Sequence, residues 1–127
     1  MFRFTLIFLG GGVGSLLRYL IAGWTQRTSD VSFPLGTFVV NVAGSLIIGF
    51  LAATLTGPIL IRDDYRIGLM VGVLGGFTTF SSFSLETLML ANDGQIGLAL
   101  LNVALSVTIC LAAAWLGYRI GEYSFGV

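Results

Sequence analysis

The sequence has 127 residues, of which 56% are hydrophobic and only 9% charged, and its mean hydropathy is +0.98. A soluble domain of this size needs far more charge on its surface, so the composition predicts an all-α integral membrane protein. The formal net charge is zero and no basic patch is present, so we expect no nucleic-acid partner. One cysteine cannot build a disulfide framework.

Uncharged runs of membrane-spanning length predict the architecture. A helix of about 20 apolar residues crosses roughly 30 Å of hydrocarbon. The runs predict four transmembrane helices, at about residues 4–23, 35–56, 67–91 and 95–118. The connections are short, so we expect one transmembrane domain over residues 1–127, in the lipid bilayer of a plasma or inner membrane.

The first span, 4–23, is interrupted by Arg18. A secretory signal peptide is the alternative, but the charged region before the apolar stretch is thin and no convincing small-residue cleavage site follows it. We interpret the segment as a membrane helix with Arg18 near one end. The guanidinium then either extends to the interface or attracts an anion into the membrane.

The second and fourth spans each carry a polar stripe. Pro34 suits the start of the second helix, and Thr56-Gly57-Pro58 suits its end. Residues spaced by four share one face of a helix. Two stripes follow this spacing: Thr37, Asn41 and Ser45 in the second span, and Asn102, Ser106 and Cys110 in the fourth.

The third span contains the most informative segment, residues 75–86, with the sequence GGFTTFSSFSLE. Polar groups at membrane depth are costly and usually mark a functional pathway. The glycine pair predicts that the helix breaks over residues 75–79, and a broken helix must face protein or water. After the break, helical spacing separates a polar line from an aromatic one: Thr79, Ser82 and Glu86 on the first, and Phe80, Phe83 and Thr87 on the second.

Two interpretations of these stripes stay open at this point. The polar side chains, including Glu86, either hydrogen-bond neighbouring helices together or form the wall of a polar passage. Four helices have little room to line a passage and also shield it from lipid, so a passage predicts a homodimer or larger assembly. The arginines number four on the side of the N-terminus and one or two on the other side, which only weakly favours an internal N-terminus.

Three motifs give the chain a resemblance to the small fluoride channels of the Fluc or CrcB family. The first span contains the sequence GGVGSLLRY over residues 11–19, and the second contains PLGT over residues 34–37, followed by Asn41 and Gly44. The third span contains GVLGGFTTFSSFS over residues 72–84, followed by Glu86. The third motif is highly specific, and the match covers the whole chain.

The resemblance implies an antiparallel, dual-topology homodimer that passively exports fluoride from a microbial cell. It implies that Phe80, Phe83 and Asn41 line each pore, opposite a polar side formed by Thr37, Ser81, Ser82, Glu86 and Ser106. It also implies a structural sodium ion at the dimer interface, held by the backbone carbonyls of Gly75 and Thr78. Asn102 and Cys110 depart from the family pattern, in which a tyrosine and a serine are common at these positions.

Two other functions are weighed against a fluoride channel. A proton-coupled multidrug exporter also has four spans, but its mechanism requires a carboxylate early in the first span. The first span of this chain contains Arg18 and no acidic residue. A non-transporting membrane assembly subunit would use the glycines and hydroxyls for packing alone. An enzyme is not expected, because the sequence has no histidine, no paired carboxylates and no plausible nucleophile–base pair.

Overall fold

The computed structural model describes residues 1–57 and 59–126 and is helical throughout its ordered elements. The predicted terminator Pro58 lies outside the described residues. The helices are α1 (Phe2–Arg27), α2 (Leu35–Leu55), α3 (residues 63–77), α4 (Phe80–Asn92) and α5 (Ile96–Phe125). Together, α3 and α4 form the third span.

Four helices, counting α3 and α4 as one interrupted unit, are long and apolar enough to cross a membrane within the described part of the chain. This confirms the predicted all-helical membrane fold. The first and fourth helices run past the predicted spans, to Arg27 and Phe125. An ion pair between Arg119 and Glu122 (2.8 Å) lies in the added last turns of α5. The helix ends at Gly126, which caps it in the left-handed conformation.

The helices pack as two groups. The most extensive contact is between α2 and α5, and the next is between α1 and α3. Helix α4 packs mainly on α5, so the two halves of the third span belong to different groups. The break between them therefore lies where the two groups meet.

Glycines allow the close contact between α2 and α5. A Cβ atom on Gly49 would collide with the carbonyl of Ala114, and one on Gly117 would collide with the carbonyl of Leu46. In lipid, where hydrophobic burial does not drive helix association, backbone approach of this kind supplies the packing contacts. Glycine is therefore required at both positions, because any larger side chain would collide with the backbone of the other helix.

The predicted break in the third span is confirmed, but it lies slightly later than the glycine pair. Gly75 has helical dihedral angles, whereas Thr78 (ψ 157°) and Thr79 (φ −151°) are extended. Gly76 serves packing instead, because a Cβ atom there would lie 2.5 Å from the carbonyl oxygen of Gly11 in α1. Before the break, Gly68–Leu74 is a π-helix, a form that often occurs next to functional positions.

Candidate functional site

Asn41 of α2 binds the break directly. Its Oδ1 accepts the backbone N–H of Thr79 (2.7 Å), and its Nδ2 donates to the Thr79 carbonyl (3.0 Å). In a continuous helix the Thr79 N–H would bond the carbonyl of Gly75, four residues earlier. One side-chain amide therefore replaces the helical partner and holds the backbone open.

The threonine at the break also begins the second half-helix. Thr79 Oγ1 accepts the backbone N–H of Ser82 (3.1 Å), the bonding pattern of an N-cap. The same oxygen lies within hydrogen-bond distance of the hydroxyls of Ser81 (3.2 Å) and Ser82 (3.1 Å). The predicted hydroxyl cluster therefore surrounds the first turn of α4.

Arg18 lies on the other side of the break. Its Nη1 is 3.4 Å from the carbonyl oxygen of Thr78, to which it donates. The guanidinium is thus directed at a freed carbonyl near the end of α3, where the helix dipole favours a cation. Arg18 is half-buried at this point, and its partner is a backbone oxygen.

The polar stripe of α2 continues to Glu86. The hydroxyl of Thr37 donates to Glu86 Oε1 (2.7 Å), which joins the start of α2 to the middle of α4. The second carboxylate oxygen, Oε2, is buried and has no hydrogen-bond partner among residues 1–57 and 59–126. Thr37 and Glu86, which the sequence placed on separate stripes, therefore form one polar contact.

The stripe of α5 makes a different contact. Asn102, only 2% exposed, donates from Nδ2 to Thr87 Oγ1 (2.9 Å) and accepts from the hydroxyl of Ser106 (3.2 Å). Thr87 donates in turn to the carbonyl of Phe83 (2.7 Å). Asn102, whose role the sequence left open, therefore connects α5 to the aromatic line of α4.

A cavity of about 430 Å³ lies beside the break and opens to the outside of the chain. The rings of Phe80 and Phe83 lie in its wall, with centroids 5.3 Å apart and planes inclined at 48°. Phe83 is 9% exposed, whereas Phe80 is 76% exposed. The cavity wall also contains six residues that the sequence placed on the polar stripes or at the break: Asn41, Ser45, Gly75, Thr78, Ser106 and Cys110.

Not every predicted site residue reaches this cavity. Glu86 borders a second depression of about 510 Å³ near the ends of α1 and α4, together with Gln26 and Asp93. Thr37 reaches that region only through its bond to Glu86. Ser81, Ser82 and Arg18 are not part of either wall and contact the backbone or hydroxyls of the break instead.

Gln26 is a polar residue of this region that the sequence did not single out. Its Nε2 donates to the carbonyls of Val31 and Phe33 (3.3 Å each), and its Oε1 accepts the backbone N–H of Gly36 (3.2 Å). It thereby holds the loop between α1 and α2 and the start of α2, one residue before Thr37. The only signal for Gln26 in the sequence is a polar residue at the end of an apolar segment. Polar residues are ordinary where a membrane helix reaches the water interface, so this signal does not indicate a site.

The fold and the site define a small helical membrane protein whose third span is interrupted beside a mostly apolar cavity that also contains polar side chains. The chain belongs to the CrcB family, because the family model described as "CrcB-like protein, Camphor Resistance (CrcB)" matches residues 5–118. This confirms the resemblance seen in the sequence. The membership and the four membrane-length helices confirm the predicted integral membrane protein of the plasma membrane.

Several relatives match over most of their length, and each is named as a fluoride-specific ion channel FluC. The relative from Rhodospirillum rubrum is 53% identical over 86% of both chains. The relative from Opitutus terrae is 52% identical over 88% of this chain and 86% of its own. The relative from Paramagnetospirillum magneticum is 49% identical over 93% of this chain and 94% of its own. Because the relatives are channels by name, the prediction that this chain is not an enzyme is confirmed.

Proposed function

We propose that the chain is a fluoride-selective ion channel that lets fluoride leave the cytoplasm passively and so lowers its concentration there. The observation that carries the proposal is the cavity beside the helix break, which is lined by Phe80 and Phe83 together with Asn41 and Ser106. The relatives named as fluoride-specific channels support the identity of the ion.

The aromatic and the polar side chains that line the cavity suit a small anion in different ways. A phenyl ring has a positive edge, so Phe80 and Phe83 offer weak electrostatic contact without a full charge. The Asn41 amide uses one proton of Nδ2 on the Thr79 carbonyl and retains a second as a hydrogen-bond donor. Weak contact at several positions favours conduction, because the ion must also leave. The further polar groups proposed for the passage are Thr37, Ser81, Ser82 and Glu86, with Arg18 near the break.

The proposal includes a homodimer, which is supported by what the single chain exposes. Phe80 is 76% exposed, Gly75 is also exposed, and the cavity between them is open. The Gly75 carbonyl has lost its helical donor, since the Thr79 N–H is bonded to Asn41. An unpaired backbone carbonyl cannot face hydrocarbon, so a second copy covering this face would satisfy the constraint.

The proposed dimer is antiparallel, with each chain inserting in either orientation. Arginines occur at both ends of the bundle, for example Arg27 at one and Arg62 at the other, so the charge rule opposes neither orientation strongly. An exposed reporter cysteine in the variant Asp30→Cys should be labelled by a membrane-impermeant thiol reagent from both sides of oriented vesicles. Labelling from one side only would contradict dual topology.

A structural sodium ion at the dimer interface is also part of the proposal. The carbonyl of Gly75 is freed by the break, and the carbonyl of Thr78 already attracts the cationic group of Arg18 (3.4 Å). Carbonyl oxygens suit a hard cation, which would hold the two copies together by charge. Replacing sodium by choline in the buffer should therefore lower the thermal stability of the dimer, and equal stability in both salts would contradict the site.

The deciding experiment is anion efflux from proteoliposomes. Wild-type protein should release fluoride and retain chloride. Phe80→Ile and Phe83→Ile should each reduce fluoride efflux, because isoleucine fills the space without a ring edge. Phe8→Ile is the matched control, since Phe8 is 80% exposed on α1 and borders neither cavity. Equal chloride and fluoride efflux would refute the proposal.

The alternatives predict different results in the same vesicles. A proton-coupled exporter would need a proton gradient and a lipophilic cation, and a packing subunit would give no flux and leave Phe80→Ile without a phenotype. The channel names of the relatives do not favour either.

A further inference from the structure

A chain of directed hydrogen bonds leads from the cavity into the protein. Ser106 Oγ, in the cavity wall, donates to Asn102 Oδ1 (3.2 Å), and Asn102 Nδ2 donates to Thr87 Oγ1 (2.9 Å). The Thr87 hydroxyl then donates to the carbonyl of Phe83 (2.7 Å). Asn102 is 2% exposed and Ser106 is 8% exposed, so bulk water does not compete for these bonds.

The direction of the chain decides what Ser106 offers to an ion. A serine hydroxyl has one proton and two lone pairs. Because the proton of Ser106 points at Asn102, only lone pairs remain for the cavity. An anion needs a donor, so in this arrangement the Ser106 hydroxyl repels the ion that the passage is proposed to carry.

The side chains of Ser106, Asn102 and Thr87 can also form a chain of hydrogen bonds that runs in the opposite direction. The oxygen and the nitrogen of a side-chain amide have nearly the same size, so Asn102 rotated by half a turn fits the same space. Its Nδ2 then donates to Ser106, and the Thr87 hydroxyl turns from the Phe83 carbonyl to Asn102 Oδ1. The Phe83 carbonyl keeps the helical N–H of Thr87, four residues later.

Nothing is lost in the exchange when an anion is present. The freed proton of Ser106 donates to the ion, and this bond replaces the one between Thr87 and Phe83. A hydrogen bond to an ion is stronger than one between neutral groups. Without an anion, the reversed arrangement has one bond fewer, so the resting direction is favoured.

We propose that Asn102 is a positioning residue whose amide rotates when an anion enters the cavity, and thereby turns Ser106 from an acceptor into a donor. The inference rests on the proposed channel function and adds a source of selectivity to it. Rotation is favourable only for an anion that accepts a strong hydrogen bond. Among the halides, fluoride is the strongest acceptor.

Two variants should change fluoride efflux from proteoliposomes in opposite directions. In Asn102→Asp, measured at a pH at which the carboxylate is ionised, the side chain can only accept, so the Ser106 proton stays turned away and efflux should fall by about 10-fold, the value of one hydrogen bond to an ion. In Thr87→Val the Asn102 amide loses its acceptor and turns to Ser106, so efflux should equal or exceed that of the wild type. A purely structural role for Asn102 predicts that both variants lose efflux.

A spectroscopic measurement reads the rotation itself. The chain has three asparagines, Asn41, Asn92 and Asn102, so nitrogen-15 asparagine labelling gives three side-chain amide signals. Fluoride should shift the Asn102 amide signal in wild-type protein but not in Ser106→Ala. Thr108→Val is the matched hydroxyl deletion, because the Thr108 hydroxyl donates to the carbonyl of Ala104 in its own helix. This control should retain both the shift and the efflux.

The outcomes separate the inference from the channel function. If the wild type conducts fluoride but Asn102→Asp conducts equally well, or Thr87→Val falls as far as Asn102→Asp, the rotation is refuted and the channel stands. If Asn102→Asp does not assemble, the fluoride-dependent amide signal of the wild type decides, and its absence overturns the rotation. A wild type that conducts no fluoride overturns both.

Discussion

Replacing Asn41 with leucine should destabilise the folded protein and close the break. Asn41 is the only described side chain that bonds both backbone groups of Thr79, the N–H at 2.7 Å and the carbonyl at 3.0 Å. Leucine has a similar volume but neither a donor nor an acceptor. The perturbation therefore removes the two bonds without opening a large cavity.

The magnitude follows from burial. Thr79 is 7% exposed, so its N–H cannot turn to bulk water when Asn41 is lost. Two hydrogen bonds contribute about 0.5–1.5 kcal/mol each, and a buried group left unpaired costs about 1–3 kcal/mol. Together these terms predict a loss of about 2–6 kcal/mol, reduced if the Thr79 N–H returns to the Gly75 carbonyl and restores a continuous helix.

Equilibrium unfolding in mixed micelles measures this loss, with the fluorescence of Trp24 and Trp115 as the signal, and fluoride efflux reports the state of the break. Asn92→Leu is the control, because Asn92 is exposed at the end of α4 and should change stability by no more than about 0.5 kcal/mol. If Asn41→Leu unfolds like this control and conducts fluoride like the wild type, the bonds to Thr79 do not hold the break, and the reasoning fails.

Three further predictions follow from the packing, the polar contacts and the exposed face. Gly117→Ala should cost about 1–3 kcal/mol in the same unfolding assay, because the new methyl group meets the Leu46 carbonyl, whereas Gly97→Ala, with open space around it, should cost nothing measurable. Thr37→Val should slow fluoride efflux, because Glu86 Oε1 loses its hydroxyl partner (2.7 Å); efflux at the wild-type rate would remove Thr37 from the passage. The mass in mild detergent, measured by light scattering, should be that of two 13.5 kDa chains, and a monomer would contradict the proposed dimer.

The four membrane-length helices and the broken third span were predictable, because both depend on local composition. The position of the break was predicted only to within the range 75–79. The glycine pair indicated residues 75–79, yet Gly75 stays helical and the chain extends at Thr78 and Thr79. Threonine tolerates extended backbone, but what holds it there is Asn41, which lies 38 residues away in sequence. No local pattern shows a partner at that distance.

The sequence predicted which polar residues of the candidate site share a helix face. It did not predict which residues of different helices bond to each other. Helical spacing placed Asn102 and Ser106 on one face, and the structure bonds them to each other. Spacing could not show that Asn102 reaches Thr87, or that Thr37 reaches Glu86, because those contacts depend on how far one helix is displaced along another. Gln26 was missed since its three bonds go to loop backbone, which leaves no periodic signal.

The division of the third span between two packing groups has a consequence for biogenesis. During insertion, residues 63–92 leave the ribosome before α5 has been synthesised, although α4 packs mainly on α5. The first half can associate with α1 at once, while the second half has to wait for the last helix. The contacts of α4 with α5 therefore form only when translation is nearly complete, whereas Asn41, which holds the break, is already present in α2 when residues 63–92 enter the bilayer.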